Sequence, residues 1–222
     1  SGNRMICGEG DPPQIILFPE VPFDREAFCA AVERSVTTHG YCSVVVSEGA
    51  RDAEGTFLAD AGTTDAFGHK QLGGVAPVVA GIVGHELGHK VHWAVCDYLQ
   101  RSARHIASAT DVAHARAVGR AAVEFARAGQ TGVMPVIRRT SDEPYAWTIA
   151  SAPLGDIANR EKTLPADYIS ADGFGITDKA RRYLEPLIRG EDYPPYDEHG
   201  LPEYFRPTLE PVPARLDPFT PA

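Results

Sequence analysis

Nowhere in these 222 residues does an apolar run approach the eighteen or so positions that a helix needs to cross a bilayer. A membrane protein built on spanning helices is therefore excluded. Basic residues are in deficit, with 21 Lys and Arg against 30 Asp and Glu and a formal net charge of −9. Phosphate backbones are bound by clustered cations, so nucleic acid is not expected as a partner, although one or two local arginines can still hold a small anion. Cysteine is scarce: Cys7, Cys29, Cys42 and Cys96 form no C-x-x-C pair and show no disulfide-like spacing. Cys42 and Cys96 lie in apolar runs and read as buried free thiols, which suits a reducing cytoplasm. No basic-then-apolar leader opens the chain, and SGNRMICGEG does not start with Met, so its native start is expected either upstream or replaced by foreign residues. Internal repeats are lacking too.

What is present is an ordinary globular composition, 43% hydrophobic and 23% charged, in a chain long enough for one sizeable core or two small ones. QIILFPE (14–20) and CSVVVSEG (42–49) are short apolar, β-rich runs bounded by Pro and Gly, and they predict buried strands. Between them Asp24 offers an N-cap for a helix over 25–38, closed by His39-Gly40. Strand, helix, strand with short turns predicts a parallel crossover unit, whose ligands lie beyond the C-terminal ends of the strands. Both strands end in a carboxylate, Glu20 and Glu48.

Residues 50–74 read as a long surface excursion, followed by a helix from Val75 to Leu87 with Pro77 in its first turn. KVHWAVC (90–96) alternates and predicts a short strand. Asp111 reads as the cap of a helix ending at Gly129. VMPVIRR (133–139) and YAWTIA (145–150) predict an antiparallel pair around Ser141-Asp142-Glu143-Pro144. Residues 171–190 predict a loop, a helix capped near Thr177 or Asp178, and a glycine stop. The expected domain plan is an irregular start over 1–10, an α/β domain over 11–190 and a proline-rich extended tail over 191–222.

Within GHELGHKVHW (84–93), His85-Glu86-Leu87-Gly88-His89 has the H-E-x-x-H form of a zinc protease. Two such histidines must sit one helical turn apart and face the metal, with the glutamate on the bound water and a third ligand elsewhere. The H-x-x-G-x-x-H continuation is absent, and Val95 occupies the third-ligand position. Gly88 is placed to cap the helix, which would leave His89 beyond it. Val75, Val79, Ile82 and Val83 form the apolar stripe, with His85 nearly opposite. The motif therefore reads as a solvated helix end rather than a metal site.

A longer pattern carries more information. ILFPEVPFD (16–24), VVVSEGA (44–50), DAFGHKQLGG (65–74), YLQRSARHIAS (98–108) and GEDYPPY (190–196) occur in the order and spacing of the C-terminal half of a phosphofructokinase. The chain resembles that family from about residue 10 to residue 206, most of all its long pyrophosphate-dependent bacterial members. The resemblance implies a three-layer α/β/α fold with a mainly parallel sheet. It implies that Glu20 binds the sugar hydroxyls of fructose 6-phosphate, and that Tyr98 and Arg101 bind its phosphate. His92 stands where shorter relatives carry a second phosphate-binding arginine that reaches a neighbouring subunit's site. These residue types suit such a ligand, since an arginine offers a planar donor fork to a phosphate dianion and an ionised carboxylate accepts hydroxyl hydrogens.

The family's glycine-rich donor loop, its T-x-D-x-D segment with the catalytic aspartate and its M-G-R segment are not found in these residues. No catalytic residue and no metal ligand is therefore expected in this chain. The resemblance implies the substrate side of an enzyme that phosphorylates fructose 6-phosphate with pyrophosphate, in a cytoplasmic homo-oligomer with Mg²⁺ on the donor. An ATP-dependent phosphofructokinase, a non-catalytic sugar-phosphate-binding module and the zinc protease are the alternatives.

Overall fold

The structure, a computed structural model, describes residues 11–64, 70–72, 74–204 and 208. The expected start over 1–10, the end of the proline-rich tail, and residues 65–69 and 73 lie outside the described residues.

Ile15–Leu17 (β1) and Val44–Val46 (β2) pair in parallel, Ile15 opposite Val44 and Leu17 opposite Val46. Between them runs Arg25–His39 (α1), entered through Asp24, whose carboxylate accepts from the Ala27 N–H at 2.9 Å. Gly40 leaves it in the left-handed conformation (φ 78°), its N–H donating to the Val36 carbonyl. The predicted β–α–β crossover is thus in place. Phe28, wholly buried, packs with Ala31 and Val32 against Ile15 and Leu17, and Val75, Val79 and Val83 of the next long helix complete this core.

The stretch over 50–74 is less of an excursion than its composition predicts. Ala50 and Ala59 are buried, and Asp60–Thr64 (β3) pairs antiparallel with Lys70–Leu72 (β4). Val75–Leu87 (α2) follows and is capped by Gly88 at φ 67°, with the expected stripe facing the core.

Lys90–Cys96 forms no strand, contrary to expectation. Its alternation is real, but among the described residues no backbone–backbone hydrogen bond engages Lys90–Val95, so there is no ladder to make it one. Cys96 is exposed and Cys42 only half-buried, a correction to both thiols. The reason for Cys96 is the same missing ladder.

Leu99–Ser102 (α3) and a 3₁₀ turn at Arg104–Ile106 lead into Ala109–Arg127 (α4). Ser108, not Asp111, caps α4: its hydroxyl accepts from the Asp111 N–H at 3.0 Å and donates to the Leu187 carbonyl at 2.7 Å. Asp111 sits in the first turn, where a carboxylate is favoured by the helix dipole. Val133–Asp142 (β5) and Tyr145–Pro153 (β6) form the predicted antiparallel hairpin, extended beyond the expected strand ends. Leu154–Ile157 (α5) and Asp178–Leu184 (α6), the latter capped by Thr177, complete the helices. The class is α/β with a parallel pair, and the other two strand pairs are antiparallel. Among the described residues no helix is long and apolar enough to cross a membrane.

Candidate functional site

The parallel pair delivers two carboxylates to one edge. Beyond β1 the chain turns through Pro19 and Glu20, and beyond β2 through Ser47, Glu48 and Gly49. The turns are pressed together: a Cβ on Gly49 would stand 3.0 Å from the Pro19 Cβ. Glu20 is half-buried, and its Oε1 accepts from the Leu164 N–H at 2.8 Å, so this carboxylate fastens the 158–165 connection to the strand end. Glu48 is exposed, and among the described residues no hydrogen bond or ion pair engages its side chain.

A loop from 170 to 175 closes the same edge. The Ile16 N–H donates to the Phe174 carbonyl at 2.8 Å, and a Cβ on Gly173 would meet Val21 Cγ1 at 3.3 Å. Asp172 shapes this loop: its Oδ1 accepts from Ser170 Oγ at 2.5 Å and from the Phe174 N–H at 3.1 Å. The Ser170 hydroxyl, more than any other neighbour, holds the Asp172 carboxyl below its usual range. Nothing local in the sequence signals this loop's role. Its Ala-Asp-Gly-Phe-Gly composition marks a turn but not what the turn packs against.

Tyr98 is the N-cap residue of α3, and Arg101 lies in that single turn, three residues on. Residues three apart on a helix share a face, and positions 98 and 101 have that spacing. The side chain of Arg101 lies outside the described residues. His92 is exposed in the segment between α2 and α3. Glu20 belongs to a different part of the fold, at the β1 end.

The stretch after Arg101 is fastened to the segment that follows α6. Arg104 donates to both the backbone carbonyl and the carboxylate of Asp192, the latter at 2.8 Å, and Arg116 Nη1 lies 3.6 Å from the other oxygen. Arg104 holds the Asp192 carboxyl below its usual range. Gly190, at φ 73°, lies against the start of α4, where a Cβ would come within 2.9 Å of the Ala109 Cβ. Arg104 and Asp192 are 88 positions apart in the chain, yet their segments, 98–108 and 190–196, form one structural unit. The proline spacing that predicts an extended tail from 191 onward overlooks this anchor, because an ion pair to a distant arginine leaves no local signal.

The H-E-x-x-H histidines do not converge. α2 ends at Leu87, so His89 is off the helix, and its Nε2 lies 3.0 Å from Glu33 Oε1 on α1. His85 is exposed, and Glu86 accepts from Arg25 at 3.4 Å. Among the described residues no group of three His, Cys, Asp or Glu side chains is arranged to hold a metal ion. A groove of about 810 Å³ runs between α4 and β6, lined by Arg116, Arg120, Phe125 and Ile149 among others. None of Glu20, Tyr98 or His92 lines it.

No family model matches the chain. It is 61% identical over 212 residues to the pyrophosphate–fructose 6-phosphate 1-phosphotransferase of Halomonas elongata, a match that covers 96% of this chain and 50% of that protein. The protein of the same name from Xanthomonas campestris is 57% identical over 202 residues, 90% of this chain and 48% of its own. An ATP-dependent 6-phosphofructokinase of Mycobacterium tuberculosis is more distant, at 33% over 164 residues and 72% of this chain. The crystal structure of a pyrophosphate-dependent phosphofructokinase from Nitrosospira multiformis superposes with a TM-score of 0.78 at 52% identity, over 95% of this chain and 49% of that one. The chain thus spans about half the length of the relatives it matches.

Proposed function

We propose that this chain, which belongs to the phosphofructokinase superfamily, is the half of the enzyme that binds fructose 6-phosphate. The observation that carries this reading is the 61% identity over 96% of the chain to a pyrophosphate-dependent phosphotransferase. Three relatives named for pyrophosphate are 57–61% identical and a fourth 34%, against 33% and 40% over shorter stretches for relatives named for ATP, which supports pyrophosphate as the donor. The assembled protein transfers a phosphoryl group to the sugar's 1-hydroxyl, in the cytoplasm and as a homo-oligomer.

The division of labour follows from the residues. Tyr98 and Arg101 meet the sugar phosphate, the arginine through paired N–H donors and the phenol through its hydroxyl. His92 offers a ring nitrogen to the sugar phosphate in a neighbouring subunit's site. The two carboxylates differ in role. Glu20 has an oxygen committed to the Leu164 N–H and holds the edge in shape. Glu48, exposed at the end of the neighbouring strand, accepts hydrogen bonds from the sugar hydroxyls. Both lie where open parallel sheets place their ligands. Mg²⁺ would accompany the phosphoryl donor.

The test joins this chain to the half of the Halomonas elongata relative that it does not match. Fructose 1,6-bisphosphate formation is followed in a coupled assay with pyrophosphate or ATP. Turnover with pyrophosphate, lost in Arg101→Ala, is expected. An assembled protein inactive with both donors would sink the reading, and turnover with ATP alone would reassign the donor.

A further inference from the structure

α3, which carries Arg101, is a single turn of four residues. So short a helix has no stability of its own in water, because nucleation costs more than its first bonds return. Its place is set by what the chain around it is tied to. Within the turn the Leu99 N–H donates to the Cys96 carbonyl at 2.9 Å, and the Ser102 N–H and hydroxyl both reach the Tyr98 carbonyl at 3.0 Å. The Ala103 N–H donates to the Leu99 carbonyl at 2.9 Å and the Ile106 N–H to the Ala103 carbonyl at 3.0 Å. Residues 96–106 are thus one hydrogen-bonded series of turns, with no free linker between Arg101 and Arg104.

Arg104 is where this series is gripped. One guanidinium nitrogen donates to the backbone carbonyl of Asp192 and another, Nη2, to its Oδ1 at 2.8 Å. The two side chains are 29% and 26% exposed, so the pair is shielded from much of the solvent that weakens surface ion pairs. A planar fork can hold a carbonyl and a carboxylate in fixed relation, whereas a lysine ammonium offers only a point charge. With its fork so engaged, Arg104 is not offered to a ligand. Asp192 is itself fixed. Its N–H donates to the Ala107 carbonyl at 3.3 Å, its Oδ2 lies 3.6 Å from Arg116 of α4, and the Thr110 hydroxyl donates to the Pro186 carbonyl at 2.9 Å just upstream.

We infer that Asp192, acting through Arg104, is a positioning residue of the sugar-phosphate site: it sets where Arg101 presents its N–H pair and does not touch the ligand. This rests on the function proposed above. Two parallel N–H···O bonds hold only within roughly 0.5 Å of their productive geometry, so releasing α3 weakens the grip on the phosphate.

The test uses this chain joined to the unmatched half of the Halomonas elongata relative. Fructose 6-phosphate affinity is read by calorimetry and KM by the coupled assay, with a melting curve for each variant. Asp192→Ala should weaken both by about tenfold. In an Arg101→Ala background the same change should alter affinity by less than about twofold, because the group it positions is gone. Arg116→Ala removes only the longer pair, at an exposed side chain, and should leave affinity unchanged. Should Asp192→Ala fail to fold, Arg104→Lys gives the same reading, since it keeps the charge and loses the double grip. The inference is overturned if the folded variant binds as tightly as the wild type. It is equally overturned if binding weakens by the same factor with and without Arg101, the signature of a general structural loss. A wild type that binds fructose 6-phosphate without turnover sinks the phosphotransfer reading and leaves this test intact through calorimetry. One that binds no fructose 6-phosphate overturns both.

Discussion

Gly190→Ala should destabilise the protein well beyond Gly88→Ala, although both glycines adopt similar backbone angles, φ 73° and φ 67°. Forcing an L residue into the left-handed region costs roughly 1–2 kcal/mol at either position. The change also removes the same unfolded-chain freedom from each. The surroundings differ. A Cβ at Gly88 meets nothing within 4 Å, whereas at Gly190 it would come 2.9 Å from the Ala109 Cβ and 3.9 Å from the Ala109 nitrogen. Ala109 opens α4 and has no flexible end to swing aside, so the helix start or the 189–192 backbone must move. Overpacking of this sort costs about 1–3 kcal/mol. Urea unfolding of both variants isolates that contact as the difference between them. Movement there also strains the Asp192 N–H bond to the Ala107 carbonyl, 3.3 Å long, so faster amide exchange at Asp192 should accompany the loss. Equal destabilisation of the two variants, or unchanged exchange at Asp192, would refute the claim that segments 98–108 and 190–196 are locked together at this point.

In the assembled enzyme Glu48→Gln should lower kcat/KM for fructose 6-phosphate more than Glu20→Gln, because a Gln at 20 still offers an oxygen to the Leu164 N–H; the opposite order in steady-state kinetics would return the sugar to Glu20. Asp172 has a folded pKa below its ordinary 3.8, chiefly through Ser170. Its contribution to stability is therefore complete above that value and fades as pH falls through the lower folded one. Melting curves of the wild type and Asp172→Asn should differ at pH 7 and converge in strong acid, and a constant gap would contradict the assignment. Phe28→Ala, at a side chain with no exposure, should cost about 3–5 kcal/mol in chemical denaturation; a loss under about 1 kcal/mol would mean that Phe28 is not central to the core.

Local chemistry made the first crossover legible in the sequence. Asp24, the apolar residues of α1, Gly40 and the two short β-branched runs each specify their structure within a few residues, and all appear as expected. Gly88 as a helix stop is of the same kind. What the sequence concealed depended on distant partners. Alternation in Lys90–Cys96 predicts a strand, but a strand also needs a ladder. Ser108 outcompetes Asp111 as a cap because its hydroxyl simultaneously reaches the Leu187 carbonyl. The Glu20–Leu164 and Arg104–Asp192 contacts join residues far apart in the chain, and no window of sequence shows either.

The same asymmetry governs the candidate phosphate site. On its C-terminal side the 98–108 stretch is held by Arg104 on Asp192, by Ser108 on Leu187 and by the close approach of Gly190 to Ala109. On its N-terminal side Val91 packs against the core, after Gly88 has turned the chain and His89 has met Glu33. Tyr98 and Arg101 follow Lys90–Val95, which makes no backbone–backbone hydrogen bond among the described residues. Binding a phosphate with a planar donor fork requires positional accuracy at both ends, since a small misplacement breaks one of two parallel bonds. Full affinity for the sugar phosphate should therefore emerge only when something orders residues 90–96. Calorimetric titration of fructose 6-phosphate should show weaker binding to the chain alone than to the assembled halves, and Arg101→Ala should lower both toward a common value. Equal affinity before and after assembly would mean that this segment takes no part in positioning the site.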